Sequence, residues 1–244
     1  MIDSLSNNLI KHASSLKDKK YRNMYGEFLA EGARLIEDII NFDNESIAYI
    51  FSLKDTGHKK CKLVSEKIMR KLSDTMSSQN IVAVVKKKRV LSLDELVSKN
   101  KNILFLDRIL DPNNLGTIVR TAVAANYAVV LLNCTDIYSN KVVRGSMGAV
   151  IKADFYECDD VAAFIQALKQ KNYTILSASM GGKNVFDTKK SAPVCIVIGC
   201  EAHGVDERII LLSDEIITIP MMDTESLNAS VAAGILAYQF SSVR

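Results

Sequence analysis

Tryptophan is absent, there are only three prolines and three histidines, and residues 1–85 contain no proline at all. No window approaches eighteen uninterrupted apolar residues, which excludes a membrane-spanning helix. The opening MIDSLSNNLIKHASS lacks the basic-then-apolar pattern of a signal peptide, so the expectation is a soluble, unprocessed, cytoplasmic protein. The five cysteines form no CxxC and the histidines show no paired spacing. This argues against a disulfide scaffold and against a metal site. No GxGxxG follows a strand, and the one GxxxxG lacks the Lys-Ser/Thr of a phosphate loop, which removes dinucleotide and triphosphate chemistry.

With 48% apolar residues in 244, there is enough for one large core or two modest ones, and two domains are expected. The overall charge of +3 hides a split: residues 1–100 carry a net +5, residues 101–244 a net −2. A basic first part on a near-neutral second part suggests that one half grips a polyanion, although basic faces are often only solvated surface.

The stretch 1–26 is a basic helical region with Lys17, Lys19, Lys20, Tyr21 and Arg22. Its cations can neutralise phosphates and its tyrosine can stack on a base; the plainer reading is a solvated helix. An amphipathic helix follows over Ala33–Ile40, then strands at Ile47–Leu53, Lys62–Val64 and Ile81–Val85, with a helix around Glu66–Leu72. Residues 1–91 thus read as a small α/β domain. The charge run Lys86–Arg89 follows its last strand, Ser92 is placed to cap a helix before Asp94 and Glu95, and 92–100 reads as a linker.

From residue 101 to 244 strands and helices alternate. Strands are expected at Ile103–Leu106, Ala128–Leu132, near Lys152–Tyr156, at Thr174–Ala178, Val194–Ile198 and Ile216–Ile219, with helices at Leu115–Ala125 and Val161–Lys169. A loop with Tyr138 and a turn around Gly145–Gly148 separate the second strand from the third. About six mostly parallel strands in one sheet make the fold class α/β. Ligands of such sheets bind at the carboxyl ends of strands, which puts Gly199–Gly204 and Pro220–Asn228 at a joint pocket.

Three clusters carry polar residues at strand ends. In DPNNLGTIVRTA, residues 111–122, Arg120 falls off the apolar stripe, while Asn113 or Asn114 can cap the helix; in isolation Arg120 reads as a surface residue. In GCEAHG, Glu201 can order its loop by accepting backbone N–H groups, and Cys200 reads as a packing residue. In IPMMDTESLN, Ser226 or Asn228 can cap an Ala-rich helix whose N-terminus favours an anion such as a backbone phosphate.

DPNNLGTIVRTA, IVIGCEAHGV and IPMMDTESLNASVAAGI resemble, in order and spacing, the three motifs of the SpoU (TrmH) family of RNA ribose 2′-O-methyltransferases in the SPOUT superfamily. The stretch NNLIKHASSLKDKKYRNMYGEFLAEGARLIEDI is similar to the substrate-binding domain that precedes the catalytic domain in members acting on ribosomal RNA. The resemblance implies a trefoil-knotted, mostly parallel sheet behind a small L30e-like RNA-binding domain, a homodimer, and S-adenosylmethionine as cofactor. It assigns Asn114, Arg120, Glu201, Ser226 and Asn228 to the catalytic set, and Gly199, Ile219, Met221 and Leu227 to the cofactor. Lys17, Lys19, Lys20 and Arg22 are the candidate RNA contacts. The sequence departs from the family pattern twice. The third motif is one residue shorter between Met221 and Glu225, with Asp223 where glycine is common, and Cys200-Glu201-Ala202 stands where Asn-Glu-Gly is frequent.

The implied reaction is methyl transfer to a ribose 2′-OH of RNA, with 23S ribosomal RNA favoured by the N-terminal resemblance. Transfer RNA, and a non-catalytic RNA-binding or ribosome-assembly role on the same fold, stay open as alternatives.

Overall fold

A computed structural model of the chain describes residues 1–74, 80–188, 193–223 and 226–241. In chain order the elements are α1 (Asn8–Ser15), α2 (Lys19–Tyr25), β1 (Glu27–Glu31), α3 (Ala33–Asp43), β2 (Ile47–Ser52), β3 (Cys61–Leu63), α4 (Glu66–Leu72) and β4 (Ile81–Lys86). They continue as α5 (Leu93–Ser98), β5 (Ile103–Asp107), α6 (Pro112–Ala124), β6 (Ala128–Leu132), α7 (Asn140–Gly145), β7 (Phe155–Glu157) and α8 (Val161–Gln170). The last are β8 (Thr174–Asn184), β9 (Val194–Ile198), α9 (Glu207–Leu212), β10 (Glu215–Thr218) and α10 (Ala229–Phe240). The chain divides into two compact units, one made of Met1–Lys88 with Asp136–Ile151, the other of Arg89–Thr135 with Lys152–Arg244.

The first unit holds a four-stranded sheet in the order β1-β4-β2-β3. β4 runs antiparallel to both β1 and β2, and β3 joins β2 in parallel. Ile10 and Ala13 of α1, Leu16 just after it, and Ile68, Met69 and Leu72 of α4 pack on Leu29, Phe51, Val82 and Val84 of the sheet. The segment Asp136–Ile151 also belongs here, although it lies in sequence between two strands of the other unit. Its helix α7, capped by Ser139, stands where the sequence suggested only a loop and a turn. Tyr138 packs on Phe28 with ring centroids 4.9 Å apart.

The second unit is built on a six-stranded sheet in the order β10-β8-β9-β5-β6-β7, every pairing parallel. The five residues of β5 and of β9 are all buried, as a sheet covered on both faces requires. Phe105, Val130, Ile175 and Val197 pack with Phe164, Ile165 and Leu168 of α8 and Ile209 of α9. Leu115, Ile118, Val119 and Ala122 form the buried stripe of α6, and Ala233, Leu236, Ala237 and Phe240 that of α10. The carbonyls at the end of α10 have no helical partners of their own. Tyr127 Oη donates to Ala237 O at 2.9 Å, and Asn102 Nδ2 to Phe240 O at 2.9 Å. The winding direction reverses between β5 and β9, since β6 and β7 follow on one side and β8 and β10 lie on the other. The crevice outside the carboxyl ends of such a pair is the place where an open parallel sheet binds ligands.

Candidate functional site

Asp111 follows β5 and caps α6, accepting from Asn113 N at 2.6 Å and Asn114 N at 3.2 Å, with Pro112 in the first turn. The expected cap at Asn113 or Asn114 is therefore corrected. The helix begins earlier because proline at its first position needs no N–H partner. The Asn114 side chain is thereby released, and its Nδ2 donates to Glu201 Oε1 at 2.8 Å.

Glu201 sits in the turn after β9. Its Oε1 also accepts from Asn228 Nδ2 at 2.8 Å and from Ala229 N at 3.5 Å. Glu201 thus ties together two other segments, the starts of α6 and α10, rather than its own loop. Asn228 Nδ2 spends its second hydrogen on Asn114 Oδ1 at 3.0 Å, while Asn228 Oδ1 caps α10 by accepting from Ser230 N at 3.0 Å and Ser230 Oγ at 2.6 Å. A carboxylate at a helix N-terminus is favoured by the unpaired amides there. Glu201 Oε2 takes no hydrogen bond from a described residue, so the cluster keeps an open acceptor facing a cavity of about 280 Å³ lined by Asn114, Glu201, Ala202 and His203.

Gly199 has a separate cause. A Cβ at this position would fall inside the Gly204–Val205 peptide, so only glycine lets the turn fold back on itself. Gly199 is not among the residues around the neighbouring cavity. That cavity, about 120 Å³, lies beyond β8 and β10 and is lined by Ile219, Met221, Ser226 and Leu227, with Ile217 and Leu236. Asp223 has φ 29, a left-handed value that fits the position where the family pattern has glycine. Thr224 and Glu225, part of the shortened loop, lie outside the described residues. Apolar walls, together with backbone that has left the sheet ladder after Thr218, suit a flat heterocycle with a polar edge, which is the adenosine part of S-adenosylmethionine.

Arg120 is exposed on α6 and makes no hydrogen bond to a described residue. Six residues beyond Asn114, it lies about 9 Å further down the helix axis and away from the strand ends. Asn114 and Asn228 both bond Glu201. Sequence reasoning also passed over Asp107 and Arg108. Asp107 is 1% exposed; its carboxylate accepts two bonds from Arg108, each 2.8 Å, and one from Asp206 N at 2.8 Å. An acidic residue closing an otherwise apolar strand was the signal available.

Among the candidate RNA contacts, Arg22 is corrected: it is only 4% exposed, and its guanidinium is taken up by Asp136, Leu16 O and Lys17 O. Lys17 bonds Ser73 O and Asp74, both at 2.8 Å. Lys19 and Lys20 remain exposed. No group of acidic, histidine or cysteine side chains among the described residues is arranged to hold a metal ion, and no helix of the described residues is long and apolar enough to cross a membrane.

Residues 101–238 match the model of the SpoU rRNA Methylase family, and residues 7–83 that of the MRM3-like substrate binding domain. The chain is 27% identical over 250 residues to the 23S rRNA (guanosine(2553)-2′-O)-methyltransferase RlmP of Bacillus subtilis, covering 97% of each. It is 30% identical over 194 residues to YacO of the same organism, a putative TrmH family tRNA/rRNA methyltransferase, covering 74% of this chain and 78% of that one. The crystal structure of an AdoMet-bound rRNA methyltransferase from Sinorhizobium meliloti is 26% identical and superposes with a TM-score of 0.86 over 98% of this chain and 95% of that one. With the three motifs following β5, β9 and β10 of one sheet and matches along nearly its whole length, the chain belongs to the SpoU rRNA methylase family.

Proposed function

We propose that the protein is an S-adenosylmethionine-dependent methyltransferase that modifies a ribose 2′-OH of RNA, 23S ribosomal RNA above all, in the cytoplasm. The observation that carries this reading is the Asn114–Glu201–Asn228 cluster, which adjoins through Ser226–Leu227 the apolar cavity of Ile219 and Met221. The near full-length likeness to an enzyme named for 23S rRNA favours the ribosomal substrate over transfer RNA.

Bound in that cavity, the cofactor supplies a methyl group already activated on a sulfonium, so the protein must mainly align the acceptor. Ile219, Met221 and Leu227 hold the adenosine part and exclude water. The hydrogen-bonded cluster fixes the N-terminal ends of α6 and α10 against one another, and Glu201 Oε2 offers an acceptor to a hydroxyl on the RNA. Ser226 faces the substrate from the same cavity rim. A guanidinium has a pKa above about 12 and does not readily take a proton. Arg120 therefore acts by stabilising the oxygen as it develops negative charge.

Arg120 stands apart from the cluster of its own chain, and the proposal includes a homodimer in which it reaches the cleft of a second copy. An exposed stripe on α10 supports this: Val231 and Tyr238 are 49% and 55% exposed, with Gly234 and Ile235 half-buried between them. The finer fold assignments, a C-terminal trefoil knot and an L30e-like first unit, belong to the same proposal. The return of α10 from the edge strand β10 to pack on α6 and β9 supports the knot.

Mapping 2′-O-methylation in ribosomal and transfer RNA from cells with and without the gene tests the substrate, while calorimetry with S-adenosylmethionine tests the cofactor. Cofactor binding with no lost methyl group would favour a role in RNA binding alone; absence of cofactor binding would overturn the reading.

A further inference from the structure

The second unit encloses a larger cavity, about 560 Å³, at the carboxyl ends of β5 and β6 and the N-terminal ends of α8 and α9. Neither the methyl-transfer cluster nor the cofactor cavity uses it. Its size is that of a pocket for a nucleotide-sized ligand.

The lining says which ligand. Leu132, Val161 and Ile209 give an apolar wall, and Arg108 and Arg208 bring two guanidinium planes of the kind that stack on bases. Both guanidiniums are already neutralised: Arg108 is paired with Asp107, and Arg208 holds Asp206 through bonds of 3.0 and 2.9 Å. Asp159 and Asp160 add further negative charge. A phosphate is poorly matched to that balance, whereas a neutral base presenting hydrogen-bond donors is well matched. Asp160 caps α8 through Ala163 N, but Asp159 is exposed and bonds no described residue. Its carboxylate is free to accept from two adjacent N–H groups, and among the four RNA bases guanine presents such a pair, N1–H and N2–H, on its Watson–Crick edge.

The backbone at the mouth points the same way. Arg108 follows β5 with φ 57 and Asn133 follows β6 with φ 51, joined by Arg108 N donating to Leu132 O at 2.8 Å. Asparagine enters the left-handed region readily; a long side chain such as arginine does so at a cost, and such strain gathers at ligand sites. Arg108 also lines the smaller cavity with Asn114 and Glu201, so one residue borders both pockets.

We propose that this cavity binds a guanine base of the RNA substrate beside the nucleotide that is methylated, with Asp159 reading its donor edge and Arg108 bordering both it and the acceptor site. The source of the base rests on the methyltransferase reading; the recognition chemistry rests on the cavity.

The test titrates the full-length protein with guanosine, inosine and adenosine 5′-monophosphates and follows backbone amides by NMR. Guanosine monophosphate is expected to shift Asn133, Asp159 and Arg208 saturably. Inosine monophosphate, lacking the N2 amino group, should bind about tenfold more weakly, and adenosine monophosphate more weakly still. Asp159→Asn should remove the preference for guanine over hypoxanthine. Arg208→Ala removes one stacking plane from a side chain that is 87% exposed, so it should fold like wild type yet bind the guanine nucleotide about tenfold less tightly. Equal binding of the three nucleotides, shifts elsewhere, or unchanged affinity in both variants would overturn the inference. Calorimetry with S-adenosylmethionine on the same samples separates the two failures. Cofactor binding without guanine binding sinks only the guanine pocket, whereas loss of cofactor binding in wild type sinks the methyltransferase reading.

Discussion

Arg22 and Asp136, 114 positions apart, form an ion pair almost out of water: Nε donates to Asp136 Oδ2 at 2.8 Å, Nη2 lies 2.7 Å from the same oxygen, and the side chains are 5% and 11% exposed. Nη1 completes the arrangement by donating to Leu16 O and Lys17 O, both at 2.8 Å. Removing one partner of a buried pair leaves the other charge uncompensated, which costs about 3–5 kcal/mol. Asp136→Ala should lower the urea midpoint of the full chain accordingly, and the double variant Arg22→Met with Asp136→Leu should recover much of the loss. Residues 1–91 alone lack Asp136 and α7, so that fragment is expected to be markedly less stable than the same unit in the full chain. A denaturation midpoint for Asp136→Ala equal to wild type would contradict this.

That pair marks the limit of what could be read in the sequence. Local chemistry was legible: Ser92 caps its helix as expected, with Glu95 completing a capping box, and β6, β9 and α4 have the expected bounds. Helix α7 was not, because Asn140-Lys141-Val142-Val143-Arg144-Gly145 is short, has two β-branched residues and closes on glycine. Strand β8 runs on to Asn184 through Gly181 and Gly182, residues that normally end a strand. The burial of Arg22 depends on a partner in a distant segment, so its charge alone pointed outward to RNA. At the site, the residue types of Asn114, Glu201 and Asn228 were legible from their motifs. Their convergence on a single carboxylate oxygen is a property of the sheet order.

Of the candidate RNA contacts Lys17, Lys19, Lys20 and Arg22, the last is buried and Lys17 is engaged by Ser73 and Asp74, which leaves Lys19 and Lys20. Lys19 and Lys20 lie on the surface, Lys20 with its ammonium 5.7 Å from the Tyr21 ring. Lys19→Ala with Lys20→Ala should weaken RNA binding and reduce the slope of log affinity against log salt by about 1–2. Arg22 contributes no phosphate contact to that slope. An unchanged slope in the double variant would reduce the two lysines to solvated surface.

Arg89 has a partner that the charge run did not reveal. Its guanidinium bonds both oxygens of Glu95, at 3.1 and 2.5 Å. This pairing and the Ser92 amide hold the Glu95 carboxyl down at about 2. A carboxyl depressed below its unfolded value of about 4.3 favours the folded state above that pH, and the contribution disappears as pH falls through the folded value. Carbon-detected NMR should therefore find Glu95 titrating near 2 and moving upward in Arg89→Ala; a wild-type midpoint near 4 would refute the pairing in solution.

Arg120→Ala is expected to lower methyl transfer by about 100- to 1,000-fold, the usual loss when a group stabilising developing charge is removed. Cofactor affinity should stay close to wild type, since Arg120 is not among the residues around the Ile219–Leu227 cavity. Single-turnover assays with calorimetry separate the two effects. The pH–rate profile of Arg120→Lys should keep the wild-type shape if charge stabilisation is the role, whereas a new limb near the lysine pKa would indicate proton transfer.

Asn228→Asp tests the cluster through its charge. Aspartate caps a helix about as well as asparagine, so the start of α10 is preserved. The new carboxylate, however, replaces a donor lying 2.8 Å from Glu201 Oε1 and 3.0 Å from Asn114 Oδ1. Two carboxylates sharing one site cannot both ionise freely, so one of them has its pKa raised. A group whose folded value lies above its unfolded one costs nothing while both states are protonated. Below about pH 4 the variant should therefore match wild type in stability, and it should fall behind as pH rises through the raised value. Thermal melts from pH 4 to 8 measure the gap. A gap that does not vary over that range would mean that Asn228 and Glu201 are not in contact in solution, and the cluster that carries the proposed function would lose its central bond.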